Sequence, residues 1–326
     1  MEEMDAYVQD VLDLIEYANG DAKKTEWGRK RAEAGHPKPF GLKYIGIGNE
    51  DLITDVFEER FTMIYNAVRA KYPDITVIGT VGPFYEGTDY DEGWKLASKL
   101  DIPMVDEHYY VAPGWLIHNQ DYYDRYDRSK SKVYLGEYAA HLPGRPNNIE
   151  TALAEALYLT GVERNADVVT MTSYAPLLAK DGHTQWHPDL IYFNNTEVKP
   201  TVSYYTQQMY GQNAGDEYIT STVQLNNWQD GVKKRVGVSV VKDNATGDYI
   251  VKLVNMLPVE VNSKVKLDGV TLTAPTAVKT VLTGDPKDKT ARPVTSDFEL
   301  TGSDFAYSMP AYSFTVIRIH QNLEKK

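Results

Sequence analysis

From Met4 to about residue 211, short apolar stretches alternate with segments whose apolar residues recur at helical spacing, and this alternation restricts the possible folds more than any other feature. Val8, Leu12 and Ile15 mark a helix over 4–18, which Asn19-Gly20 stops. Phe57, Phe61, Ile64, Tyr65 and Val68 mark another over 57–72, and further helices are expected over 93–100, 149–164 and 201–211. Between them, Tyr44–Ile47, Ile75–Gly79, Met104–His108, Val133–Glu137, Val168–Met171 and Leu190–Phe193 read as strands, the first of them buried through Tyr44, Ile45 and Ile47. The Tyr-rich stretch over 119–128 is expected to be helical. The segment after Gly20 reads as a polar, basic loop closed by the rigid turn Gly35-His36-Pro37-Lys38-Pro39. Within it the Arg29/Lys30/Arg31 run reads as solvated charge, and Trp27, like Trp115, as packing. Alternating βα units of this length imply a parallel sheet or barrel.

Near 212–216 the pattern changes. Arg235–Val241, Tyr249–Met256, Val259–Leu267 and Ala311–His320 read as short alternating strands, and Asp243-Asn244-Ala245-Thr246-Gly247-Asp248 as a hairpin turn. The expected organisation is a (β/α)8 TIM-type barrel portion over 1–212 and an antiparallel β-sandwich over 213–326. Only about 210 residues precede the sandwich, whereas a complete barrel typically needs ~250, so the barrel is expected to be partial.

In a barrel the carboxyl ends of the strands face the active site. Lys43-Tyr44-Ile45-Gly46-Ile47-Gly48-Asn49-Glu50-Asp51 is an apolar strand that ends on Asn49 and Glu50, and Val133-Tyr134-Leu135-Gly136-Glu137-Tyr138 delivers Glu137 in the same way. Two glutamates at two strand ends are what glycoside hydrolysis by paired carboxylates needs. Taken alone, each strand-end glutamate fits a surface ion pair as well.

The net charge of −12 argues against nucleic acid, whose binding depends on phosphate neutralisation by Lys and Arg. A neutral sugar suits it better. With no cysteine, disulfides, thiolate catalysis and Cys-based metal sites are excluded. No apolar run approaches the ~18 residues of a membrane span, and Met1-Glu-Glu-Met-Asp5 does not read as a signal peptide, so no membrane partner is expected; the compartment is not specified. His183 and His187 share an i, i+4 spacing, but Pro188 argues against a helix there and no metal is expected. No Gly-Xaa-Ser-Xaa-Gly elbow occurs, and Gly46-Ile47-Gly48 does not continue into a dinucleotide fingerprint.

Several ordered stretches together resemble the α-L-arabinofuranosidases of glycoside hydrolase family 51. They are Gly35–Phe40, Tyr44–Asp51, Tyr134–Ala139, Leu159–Val169, Ser173–Leu177 and the ending Tyr307–Arg318, which looks like the family's final sandwich strand. The resemblance runs nearly end to end. It implies that Glu50 is the general acid/base and Glu137 the nucleophile of a retaining, exo-acting enzyme. It implies that Asn49 hydrogen-bonds the sugar 2-hydroxyl, and that His108 and Tyr110 line the pocket and orient the nucleophile. It places Trp186 and Asp189 in a sugar-binding loop, where some members carry an amide-bearing residue instead. The substrates implied are arabinose-containing oligo- or polysaccharides, with no cofactor. Lys43–Asn49 would match the fourth barrel strand, so earlier strands would belong to a missing N-terminal segment, and a homo-oligomer is possible as in other members. The alternatives are another retaining glycosidase of the same clan, or an inactive or partner-dependent fragment that binds sugar.

Overall fold

The apolar spacing of the first residues forms α1 (Glu2–Asn19), and it packs on α2 (Glu26–Glu33) and α3 (Asp55–Lys71). The computed structural model describes residues 2–272 and 275–321. It divides into two compact units: Met1–Tyr109 with Asp127–Gly136 and Thr170–Thr172, and Tyr110–Tyr126 with Glu137–Val169 and Ser173–Lys326.

The first unit is built on a five-stranded sheet in chain order: β1 (Tyr44–Ile47), β2 (Thr76–Thr80), β3 (Met104–Val111), β4 (Lys132–Ala140) and β5 (Val169–Tyr174). β1 pairs with β2, and β2 with β3, in parallel. Strands β3, β4 and β5 contribute residues to both units. Phe61, Ile64, Tyr65 and Val68 form the buried stripe of α3, as their spacing predicts, and α4 (Thr88–Leu100) lies against β2. β1 corrects the expectation of a buried strand, because it is the edge of the sheet: Tyr44 and Gly46 are exposed and only Ile47 is buried.

The polar loop expected after Gly20 contains α2, capped by the Thr25 hydroxyl, which accepts from the Gly28 N–H. Its sequence, Glu-Trp-Gly-Arg-Lys-Arg-Ala-Glu, has no apolar period to reveal it. What holds it is Arg31, which is fully buried rather than solvated. The guanidinium donates to the carbonyls of Tyr17 (2.8 Å), Gly20 (2.8 Å), His36 (3.0 Å) and Pro37 (3.3 Å), tying the end of α1 to the 36–37 turn.

In the second unit, α5 (Pro113–His118) starts with proline at its first turn, and the 119–128 stretch holds only one 3-10 turn, Tyr122–Arg125, in place of the expected helix. There Trp115 packs against Tyr122 and Tyr158 at ring distances of 5.4 and 6.0 Å. Helix α6 (Ile149–Arg164) is buried almost all round, as a helix apolar on every side must be, and packs on α5 and α7 (Val202–Gly211). Three short strands, β6 (Leu178–Lys180), β7 (Ile191–Phe193) and β8 (Val198–Pro200), form a small sheet; only β7 was expected.

The remaining strands are β9 (Glu217–Ile219), β10 (Val236–Lys242), β11 (Tyr249–Asn255), β12 (Val261–Lys266), β13 (Thr276–Thr283), β14 (Val294–Phe298), β15 (Asp304–Met309) and β16 (Ser313–His320). They form a six-stranded sheet, β14-β13-β16-β11-β10-β9, and a two-stranded sheet, β12-β15. Val240, Val251, Leu253, Ile317 and Ile319 of the larger sheet share one core with Phe305, Tyr307 and Met309 of the smaller. This is the sandwich that the alternation predicts. The stretch 307–318 is not one strand, however. It turns at Pro310, which has no N–H to give a ladder, and Tyr312 adopts φ +46°. Among the described residues, no helix is long and apolar enough to cross a membrane.

Two buried ionisable groups yield predictions. Arg31→Ala strands several buried carbonyls and is expected to cost about 3 kcal/mol, read as a lowered urea midpoint; an unchanged midpoint contradicts this role. Glu155, fully buried on α6, accepts from the Ala140 backbone N–H at 3.0 Å. Burial pushes its carboxyl up to about 8, against the opposing pull of Ser203 and the Ala140 amide. The folded value lies above the ordinary 4.5, so the native state holds this proton more tightly and stability falls as pH rises from about 4.5 to about 8. Glu155→Gln, isosteric with the protonated acid, is expected to match the parent near pH 5 and exceed it by a few kcal/mol near pH 9. Parallel stability–pH curves for the two proteins would contradict it.

Candidate active site

The end of β1 is shaped by its own turn. Gly48 has φ +88°, and a Cβ there would lie 2.7 Å from both Asp51 Oδ2 and Thr80 Cγ2. Asp51 Oδ2 accepts from the Asn49 N–H at 2.7 Å, and Thr80 Oγ1, at the end of β2, accepts from the Glu50 N–H at 3.2 Å. Glu50 itself is held at φ +54°, in the left-handed region that costs a side-chain-bearing residue about 1–3 kcal/mol. The turn thus fixes the direction of a half-exposed carboxylate. Asn49 is exposed beside it.

On β3 the two-residue period of a strand sorts the acidic residues by face. Glu107 points to α4, where Trp94 Nε1 donates to its carboxylate at 3.2 Å. Asp106 and His108 point the other way. His108 is buried, with Nδ1 2.9 Å from Glu50 Oε1 and Nε2 3.0 Å from Asp106 Oδ2. If Nε2 carries a proton toward Asp106, Nδ1 accepts from a protonated Glu50; a charged imidazole donates to both carboxylates. Asp106 has room because residue 136 is glycine: a Cβ there would lie 2.0 Å from Asp106 Oδ1.

In the second unit, Tyr110 Oη donates to Glu137 Oε2 at 2.6 Å, a short charge-assisted bond. The Tyr110 ring stacks on His141 (5.0 Å, 13° between planes) and lies 6.0 Å from Trp186. Trp186 is 41% exposed, and the Arg145 guanidinium stands 4.7 Å from its ring centre. Burial, with Arg145 and His187 nearby, lowers His141 to about 4, so this imidazole is neutral at ordinary pH. Trp186 therefore belongs to the aromatic group around the Tyr110–Glu137 bond. Asp189 is buried in the same loop, its N–H donating to Tyr192 Oη at 2.9 Å, and burial raises its carboxyl. No described contact joins Asp189 to Glu137. His183 and His187 lie exposed in the irregular 181–190 stretch and share no helix face.

Sequence reasoning missed Asp106, His141 and Arg145. Asp106 carried a signal, since Asp106, His108 and Tyr110 are spaced at alternate positions of one strand. His141 and Arg145 carried none: their places depend on the turn after β4, where Arg145 takes φ +51°.

Two family models account for almost the whole chain. The α-L-arabinofuranosidase 1 domain matches residues 1–128 and the α-L-arabinofuranosidase C-terminal domain residues 122–313. An extracellular exo-α-L-arabinofuranosidase of Streptomyces chartreusis is 43% identical over 74% of this chain and 31% of its own length. α-L-Arabinofuranosidase 2 of Arabidopsis thaliana is 35% identical over 81% of this chain and 37% of its own. A probable α-L-arabinofuranosidase A of Aspergillus flavus is 34% identical over 96% of this chain and 48% of its own. The chain thus spans about a third to a half of the length of these relatives. Among solved structures, an arabinose-bound α-L-arabinofuranosidase of family 51 superposes with TM-score 0.84 at 28% identity, over 98% of this chain and 52% of that one. The Thermotoga maritima α-L-arabinofuranosidase shares the fold at TM-score 0.76 and 14% identity, over 96% of this chain and 73% of that one. With a family model matching more than half of its residues, this chain belongs to the α-L-arabinofuranosidases of glycoside hydrolase family 51.

Proposed function

We propose that the chain carries the catalytic carboxylates of a retaining, exo-acting α-L-arabinofuranosidase, which removes terminal arabinofuranosyl residues from arabinan- or arabinoxylan-type glycans. Residues 1–212 would be the barrel portion and 213–326 the sandwich. The observation that carries this reading is the different setting of two carboxylates, one within β4 and one just past β1: Glu137 accepts from a tyrosine hydroxyl at 2.6 Å, and Glu50 faces an imidazole nitrogen at 2.9 Å. A nucleophile must stay ionised and aimed, which a donor such as Tyr110 favours. An acid/base must give up a proton and regain it, which an imidazole partner allows.

In the first step Glu137 forms a bond to the anomeric carbon as the glycosidic C–O bond breaks, and Glu50 gives its proton to the departing oxygen. In the second, Glu50 takes a proton from water, whose oxygen displaces Glu137 and releases arabinose with its original anomeric configuration. Asn49 is assigned to the sugar 2-hydroxyl, a bond that strengthens in the transition state. Trp186 is assigned to the pocket wall beside Tyr110, and Asp189 to supporting that loop. The family relationship and the arabinose held by a structural neighbour support the substrate class.

The two roles separate in the kinetics. Glu137→Gln is expected to lower kcat on the order of 10⁴-fold on every arabinofuranoside. Glu50→Gln is expected to lower it roughly 10²–10⁴-fold on poor leaving groups, and far less for formation of the intermediate from a nitrophenyl glycoside, whose leaving group needs no proton. Added azide is expected to restore turnover of the Glu50 variant alone. Equal losses in both variants regardless of leaving group would contradict the assignment.

A further inference from the structure

Within the second unit, Glu197 and the β8 strand that follows it, Tyr205 on α7 and residues 289–292 border a cleft of about 540 Å³. That lies within the ~300–1,000 Å³ typical of ligand sites. For a chain of net charge −12 its lining is unexpected: Lys199, Lys289 and Arg292 border it against a single carboxylate, Glu197. Lys199 is engaged by Asp181 at 2.7 Å and Glu197 at 3.6 Å. Lys289 and Arg292 make no ion pair among the described residues. Arg292 stands 6.0 Å from the centre of the Tyr205 ring, so a guanidinium and an aromatic face border the same space.

Both walls are held before any ligand arrives. β8 is paired with β7. The facing turn is pinned to the start of α6, where Ile149 N donates to Asp288 O at 2.9 Å and Glu150 N to Pro286 O at 3.0 Å. The neighbouring Asp288 carboxylate is engaged inside this turn, accepting from Thr290 N at 2.7 Å and Thr290 Oγ1 at 2.8 Å.

These groups select a ligand by elimination. A neutral sugar would leave both unpaired cations unused, and a bare inorganic anion would leave the tyrosine face unused. A sugar ring bearing a carboxylate uses all of them: the Arg292 fork and Lys289 take the carboxylate, and the Tyr205 ring takes the apolar face of the pyranose. We propose that this cleft is a second carbohydrate site, which binds uronate residues of an acidic glycan and so tethers it to the enzyme. The choice of a sugar acid over other ring-bearing acids rests on the arabinofuranosidase reading; the cationic lining does not.

The test is calorimetric titration of the full chain with trigalacturonate, its methyl-esterified form and inorganic phosphate. Saturable binding of trigalacturonate is expected, weakened about tenfold or more by esterification and likewise by Lys289→Ala with Arg292→Ala. Phosphate is expected to bind at least about tenfold more weakly than trigalacturonate. Both substituted side chains are exposed, so an unchanged melting temperature is expected to accompany the loss. Absence of saturable binding, equal binding of phosphate, or undiminished affinity in the double variant would overturn the site. Hydrolysis of a chromogenic arabinofuranoside, expected to be the same in parent and variant, reads the catalytic proposal separately: binding without hydrolysis would overturn that proposal and leave the second site standing.

Discussion

His108 is held at both ring nitrogens, 2.9 Å from Glu50 and 3.0 Å from Asp106, and much of the candidate site depends on that arrangement. A buried imidazole hydrogen-bonded at both ring nitrogens fixes the positions of two carboxylates relative to each other. The arrangement requires glycine at 136, where any side chain would occupy the place of the Asp106 carboxylate. It also requires the strained turn at Gly48–Glu50, which turns the acid toward the imidazole instead of letting it continue the strand. Two residues further along β3, Tyr110 gives the second carboxylate a neutral hydroxyl donor. Neighbouring positions of one strand therefore set two glutamates in different chemical surroundings.

How far the sequence could be read follows from which forces act locally. Helices α1, α3 and α6 announce themselves because apolar residues recur every three to four positions, and Glu50 and Glu137 because each follows an apolar strand run, although β4 continues three residues past Glu137. α2 has no such stripe. It is held by the carbonyl bonds of Arg31, a tertiary contact that no periodicity carries, and so a buried guanidinium read as solvated charge. β1 reads as buried from Ile45 and Ile47, but its burial depends on its place at the sheet edge, which composition does not encode. β14 is exposed along most of its length and lacks apolar alternation altogether. His141 and Arg145 join the aromatic group around Tyr110 only through the turn after β4, and turn geometry of that kind leaves no residue pattern to find.

Not all the polar groups buried in the second unit belong to the candidate site. Lys252, fully buried in the sandwich sheet, pairs with Glu163 of α6 at 2.6 Å, and burial opposes the charged form of both partners. Such a pair contributes little net stability but penalises any packing of α6 on the sheet that separates the two. Glu155 plays a related part near the middle of α6, where it satisfies the Ala140 amide at the end of β4. Helix α6 is thereby fixed at two points along its length, one of them only three residues beyond Glu137.

The division of labour between the two glutamates is tested most directly by trapping. A 2-fluoro arabinofuranosyl inactivator slows the second step of a double displacement, so the sugar accumulates on the nucleophile. Peptide mass spectrometry of the treated protein is predicted to find one arabinofuranosyl adduct, on Glu137, formed faster in the parent than in Tyr110→Phe. An adduct on Glu50 or on any other residue, or release of product with inverted anomeric configuration, would contradict the account.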